Sequence, residues 1–177
     1  MTGPTEASIR IRDRMIRGER FTVDEVAAWM RSEDMDLMGA AYQVLTSATS
    51  LVGGYLEPSD VEEFLLRYLI MGMEGAGQVD TGMVFEMVPY LAANTLAEWY
   101  VRLRSEGRPK DNETLRRVRD ELARVCTEGS QDQCQRVING ALEHILETPL
   151  CRADFNDWLE DGRLAHALRA ASEWSAV

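Results

Sequence analysis

Apolar residues recur along the chain at three- and four-residue steps, and no stretch alternates apolar and polar with period two. The pattern predicts an all-α chain. A first helix covers about 5–17, with Ile9 and Ile16 inward. A second opens at Thr22, where Glu25 three residues on completes a capping box and Phe21 and Val26 hold the hydrophobic-staple positions. A third covers about 34–52, with Leu37, Met38, Ala41, Tyr42 and Leu45 on one face, and Gly53 and Gly54 end it. A fourth opens at Pro58 and Ser59, carries Phe64, Leu65, Tyr68 and Leu69, and closes at Gly72, Gly75 and Gly77.

The fifth helix is expected from an Asp80 cap to about 105, kinked or split at Pro89, whose ring removes a backbone donor and crowds the preceding turn. Gly107 and Pro109 break the pattern. Asp111 or Asn112 then opens a helix bearing Leu115, Val118, Leu122, Val125 and Cys126, ended by Gly129. Ser130 with Gln133 forms another capping box, followed by the stripe Cys134, Val137, Ile138, Ala141, Leu142, Ile145 and Leu146, which stops before Pro149. Two short helices, about 155–159 and 164–174, are divided by Gly162. Eight or nine helices with short connections imply antiparallel hairpins. Two architectures fit: a compact irregular bundle, or a short HEAT-like stack. The expected organisation is a single helical domain over 1–177, with a subdomain boundary near 106–111.

One motif recurs. Residues 51–57 read LVGGYLE and residues 137–143 read VINGALE, 86 positions apart. That spacing equals two units of about 43 residues, within the 40–47 of HEAT-type repeats. A helix stop explains Gly53 and Gly54. Gly140 instead falls inside an apolar stripe, where glycine costs roughly 1 kcal/mol against alanine, so close helix packing is expected there.

Charge narrows the choice of partner. The 177 residues carry a net charge of −11. This argues against nucleic-acid backbones, which are bound by Lys and Arg, and against anionic membrane surfaces. The excess is local. Residues 1–20 hold five Arg against three acids, residues 21–90 two basic against twelve acidic residues, and the remainder twelve against fifteen. A basic protein would be drawn to the middle block. Its expected contact carboxylates are Glu33, Asp34, Asp36, Glu57, Asp60, Glu62 and Glu63. No apolar run approaches the ~18–20 residues of a membrane span. The charged N-terminus lacks a signal-peptide core, and three cysteines without a CxxC suggest reduced thiols, so a cytoplasmic location is expected.

Catalytic sets are sparse. His144 and His166 are the only histidines, and nucleophilic catalysis needs a base beside its nucleophile. Cys126, Cys134 and Cys151 fall at apolar positions or helix ends and read as core thiols. Cys126 and Cys134 suit facing positions of a hairpin, and with His144 and Cys151 their spacing matches no standard zinc site. A di-metal bundle fails because position 141 is Ala and Arg163 precedes His166 by three. GMEGAG at 72–77 has no preceding strand and reads as a loop. No catalytic residue, metal or cofactor is expected, and no enzyme activity. Nine Met and four Trp leave an alternative: an all-α ligand-binding protein or enzyme with an internal Met/aromatic pocket. Any of Trp29, Trp99, Trp158 or Trp174 left exposed would be a binding hot spot.

VINGALEHILETP at 137–149, followed by DFNDWLEDGRLAHALRAASEW at 154–174, resembles the C-terminal part of small helical bacterial proteins with HEAT-like packing, some of them immunity proteins encoded beside toxins. The matching positions are Val137, Ile138, Leu142, Glu143, Gly162, Leu164, Leu168 and Trp174, about 40 residues in all, and Gly162-Arg163 stands where a Gly-Pro turn is expected. The resemblance implies a bacterial inhibitor that binds a toxin domain and blocks its active site. An acidic inhibitor of a basic nuclease-like domain would gain association rate by steering.

Overall fold

The computed structural model describes residues 5–76 and 82–174. Among them the chain is all-α, in nine helical segments, and β pairing is confined to a single parallel bridge between Phe21 and Val52. The helices are α1 Glu6–Ile16, α2 Val23–Met30, α3 Met35–Thr46, α4 Pro58–Glu74, α5 Pro89–Glu106 and α6 Asn112–Glu128. Next, α7 covers 131–147 as an α-helical Gln131–Arg136, a π-helical Val137–Leu142 and an α-helical Glu143–Glu147. Then α8 joins Pro149–Arg152 to the 3-10 stretch Ala153–Glu160, and α9 is Gly162–Trp174.

Two compact units divide the chain. The first is Met1–Gly72 with Ala76–Val88, and the second is Met73–Gly75 with Pro89–Val177. The break expected near 106–111 is a turn inside the second unit. There the 3-10 turn Pro109–Asp111 leads directly into α6.

Local signals position the first unit. Thr22 and Glu25 form the capping box, with Glu25 N to Thr22 Oγ1 at 3.2 Å and Thr22 N to Glu25 Oε2 at 2.8 Å. Phe21 and Val26 are both buried, as a staple requires. The core is Phe21, Val26, Met38, Ala40, Ala41, Tyr68 and Leu69. Tyr68 stacks on Phe64 with ring centroids 5.7 Å apart and meets Tyr42 at 5.1 Å.

Three expectations for this unit change. Ser8 and Ile11 point inward on α1, while Ile16, in the last turn before Gly18, is 76% exposed. Helix α3 stops at Thr46, six residues before the end expected from Gly53. Leu51–Gly53 pairs instead with Phe21: Phe21 N donates to Leu51 O and Gly53 N to Phe21 O, each at 2.7 Å. A side chain at Gly54 would meet Val23 Cγ2 at 2.5 Å, so this glycine permits a close approach rather than a helix stop. The expected Asp80 cap and Gly77 lie outside the described residues, and no helix runs through 82–88. Pro89 opens α5 rather than kinking it, because the first helical position needs no backbone donor.

In the second unit, α5 packs on the π-helical part of α7, and Leu96, Leu122, Val137, Leu142, Ile145, Phe155 and Trp158 fill the core. Ser130 and Gln133 form the second capping box. Gln133 also donates through Nε2 to Glu74 O at 2.9 Å, and Arg124 pairs with Glu74 at 3.0 Å. Gly140 is buried, and a Cβ there would lie 2.7 Å from Ala93 Cβ and 3.3 Å from the Tyr90 ring. The expected close packing at Gly140 is therefore present. The two glycine motifs occupy unlike structures, a bridged loop and a buried π-helix, and mark no shared repeat unit.

Candidate functional site

The first unit carries a groove of about 500 Å³. Helical spacing builds both walls. Ala27, Met30 and Arg31 stand at i, i+3 and i+4 on α2 and just past its end. Asp60, Glu63, Phe64 and Arg67 stand at i, i+3, i+4 and i+7 on α4. Leu56 lines the groove from the loop before α4. The buried Met30 and Phe64 give it an apolar floor, and charged groups form its rim. Arg67 lies along that rim with its guanidinium turned to backbone, donating to Met30 O and, at 3.4 Å, to Ser32 O. These bonds satisfy carbonyls at the C-terminal end of α2. Tyr55, next to Leu56, is 70% exposed.

The structure sorts the expected carboxylates. Asp60 and Glu63 line the groove, and Glu57 is exposed one turn before Asp60. Glu33 is exposed beyond Arg31. Asp34 is exposed, but its Oδ1 caps α3 by accepting from Asp36 N at 2.9 Å. Glu62 is half-buried and engaged in a contact of its own. Asp36 leaves the set. It is 3% exposed, and its Oδ1 accepts the Phe85 N–H at 2.7 Å inside the first unit. A buried carboxylate already bonded this way offers a partner nothing. Its burial follows from the turn of α3 that also carries Met38 and Gly39 into the core, which no local signal announces.

Both units carry ion pairs, and in the first they include Arg10–Glu6, Arg14–Glu19 and Arg17–Glu19. In the second, Arg116 pairs with Glu113 and Asp120, each at 2.6 Å, Arg119 with Asp157 at 3.2 Å, and Arg124 with Glu121 at 2.8 Å. In the first, Arg14 binds Glu25 at 2.6 Å and holds its carboxyl down at about 2. Among the described residues Glu33, Glu57 and Asp60 make no ion pair, so their charge faces solvent uncompensated.

A second recess, of about 330 Å³, escaped the sequence analysis. Tyr100, Arg104, Asn112, Arg116, Arg119 and Asp154 surround it. Asp154 organises it, accepting from Tyr100 Oη at 2.9 Å and from Arg104 Nε at 2.9 Å, while its backbone carbonyl accepts from Arg119 at 2.6 Å. Burial first, then the Asp154 carboxylate, push the Tyr100 hydroxyl's pKa up. This network fastens the 3-10 stretch of α8 to α5 and α6. The one available signal was the one-turn spacing of Tyr100 and Arg104, and nothing local links them to Asp154.

Of the eight described methionines, four are buried. Met38 and Met73 are fully buried and Met87 nearly so, and Met30 alone of these four lines the groove. Trp99 and Trp158 are buried, Trp29 is half-buried against Phe21 at 5.2 Å, and the Trp174 side chain lies outside what is described. Among the described residues no group of three or more His, Cys, Asp or Glu side chains is placed to hold a metal, and no helix is long and apolar enough to cross a membrane.

No family model, curated protein or solved structure matches the chain.

Proposed function

We propose that this chain is a non-enzymatic protein-binding module for a basic protein, most concretely an inhibitor or immunity protein that covers a nuclease-like toxin domain. One observation carries the reading: uncompensated, exposed carboxylates at Glu57 and Asp60 beside an apolar-floored groove, with Glu33 beyond its Arg31 lip. An apolar floor with a charged rim is the usual anatomy of a protein interface. Uncompensated carboxylates raise the association rate of a cationic partner. Tyr55 adds an exposed aromatic of the type enriched at binding hot spots.

The test compares two charge-reversed proteins expressed with an affinity tag in the native host. Glu57→Lys with Asp60→Lys alters the groove edge. Glu128→Lys with Glu160→Lys makes the same net change on exposed positions of the second unit. The parent and the control should retain the same basic protein and release it as salt rises, and the groove variant should not retain it. Equal retention by all three, or retention of acidic proteins only, would overturn the proposal.

A further inference from the structure

The α6–α7 hairpin places two thiols across one turn. Ser130, the N-cap of α7, is its pivot. Cys126 lies four residues before Ser130 and Cys134 four after, with Cys134 N bonded to Ser130 O at 3.0 Å. Gly129 N bonds to Val125 O at 3.0 Å and closes the other side. Each cysteine is therefore one helical turn from the pivot, where antiparallel helices of a hairpin come nearest. Both lie on the inner stripes, Cys126 with Leu122 and Val125, and Cys134 ahead of Val137 and Ile138. The Cys134 thiol is the neighbouring ionisable group that acts on Cys126. The two thiols differ in access: Cys126 is buried and Cys134 only half-buried. Cys151 is also buried, and its neighbours are Asp154 and Arg104.

We propose that Cys126 and Cys134 are a modification site, a dithiol that low-molecular-weight disulfides convert to an intramolecular disulfide. Two observations carry this: the symmetric placement about Ser130, and the pairing of one accessible thiol with one buried thiol. Cys134, reachable from solvent, attacks as thiolate on a sulfur of oxidised glutathione. The glutathione S–S bond breaks, a Cys134–glutathione bond forms, and one glutathione thiolate leaves. Cys126 then loses its proton to solvent and attacks Cys134 Sγ, and the second glutathione leaves as thiolate. Two protein thiols are oxidised and one glutathione disulfide is reduced to two thiols. Burial first, then the Cys134 thiol, push the Cys126 pKa up, so Cys134 attacks first and resolution by Cys126 is the slower step. The bond would lock the hairpin that holds residues 73–74 through Gln133, Arg124 and Arg136.

Fully reduced full-length protein is incubated with excess oxidised glutathione at neutral pH, quenched with acid, and examined by intact mass and peptide mapping. The expected product has lost the mass of two hydrogen atoms. Its map shows a Cys126–Cys134 crosslink, and after denaturation only Cys151 takes up alkylating agent. Cys126→Ala should stop at a glutathione adduct on Cys134. Should that variant not fold, the mapping of the parent protein decides alone. Three alkylatable thiols in the treated parent, a persistent glutathione adduct on Cys134, or a crosslink containing Cys151 would each overturn the assignment.

Discussion

Gly140 concentrates two opposed effects at one residue. Alanine there should gain roughly 1 kcal/mol of helix propensity. Its Cβ would nevertheless lie 2.7 Å from Ala93 Cβ, on a buried face. Overpacking costs about 1–3 kcal/mol and exceeds the gain. Gly140→Ala should therefore destabilise, and Gly140→Leu more so, in urea unfolding. In an Ala93→Gly background the further loss caused by Gly140→Ala should be smaller than in the parent. An equal Gly140→Ala loss in both backgrounds would place the strain elsewhere. Asp36 is a second informative residue. Removing its carboxylate with Asp36→Ala leaves the buried Phe85 N–H without an acceptor, which costs about 1–3 kcal/mol. The same variant should leave partner retention intact if the chain still folds, because Asp36 does not face solvent.

Glu25 extends the residue scale to pH. Arg14, then the Thr22 N–H, lower its pKa from 4.5 to about 2. A carboxyl depressed on folding stabilises above the unfolded value and loses that contribution as pH falls through the folded one. The stability gap between the parent and Glu25→Gln should thus be full above pH 4.5 and close as pH approaches 2. The Glu25 side chain is 34% exposed, so solvent screening holds the gap to ~1 kcal/mol or less. Denaturant midpoints at pH 7, 4 and 2.5 measure it, and a gap that widens on acidification would contradict the assignment.

Elements show where local signals suffice and where they do not. Both capping boxes were legible, because a Ser or Thr with Glu or Gln three residues on specifies its own backbone partners. The ends of α3 and the start of α5 were not. Glycines 53 and 54 suggest a helix stop only while the pairing of Leu51–Gly53 with Phe21, about thirty residues away, is unseen. Pro89 suggests a kink only while residues 82–88 are taken as helical. The close approach of α5 to the π-helical Val137–Leu142 is likewise invisible locally, since it depends on Ala93 standing against Gly140. The Asp154 network is the clearest case. Asp154 of α8 draws its partners from α5 and α6, and no spacing announces them. Tyr100→Phe deletes one hydrogen bond to a carboxylate held also by Arg104. It should cost about 1.5–3 kcal/mol, with a lower thermal midpoint as the readout.

At the scale of the molecule, charge placement is the property with functional weight. The acidic excess of residues 21–90 was visible as composition. Its division into buried, capping and solvent-facing carboxylates was not. If the proposed partner is basic, neutralising Glu33, Glu57 and Asp60 together should slow association about tenfold or more at low ionic strength. It should change dissociation little, and the difference should shrink as salt rises. Stopped-flow association at two ionic strengths separates this from a loss of the apolar anchor, which would raise the dissociation rate instead.

The sequence alone determined the helical class, most helix starts, the hairpin at Ser130, the packing notch at Gly140 and the sign of the charge. These depend on residues within a few positions of one another, on periodicity, or on simple addition. Only the tertiary structure decided that Asp36 is buried, that Gly53 and Gly54 serve a bridge to Phe21, that Asp154 joins three helices, and that Asp60, Glu63, Met30 and Phe64 share one groove. Each of those rests on contacts between segments far apart in the chain, and such contacts form only when burial of the common core brings the segments together.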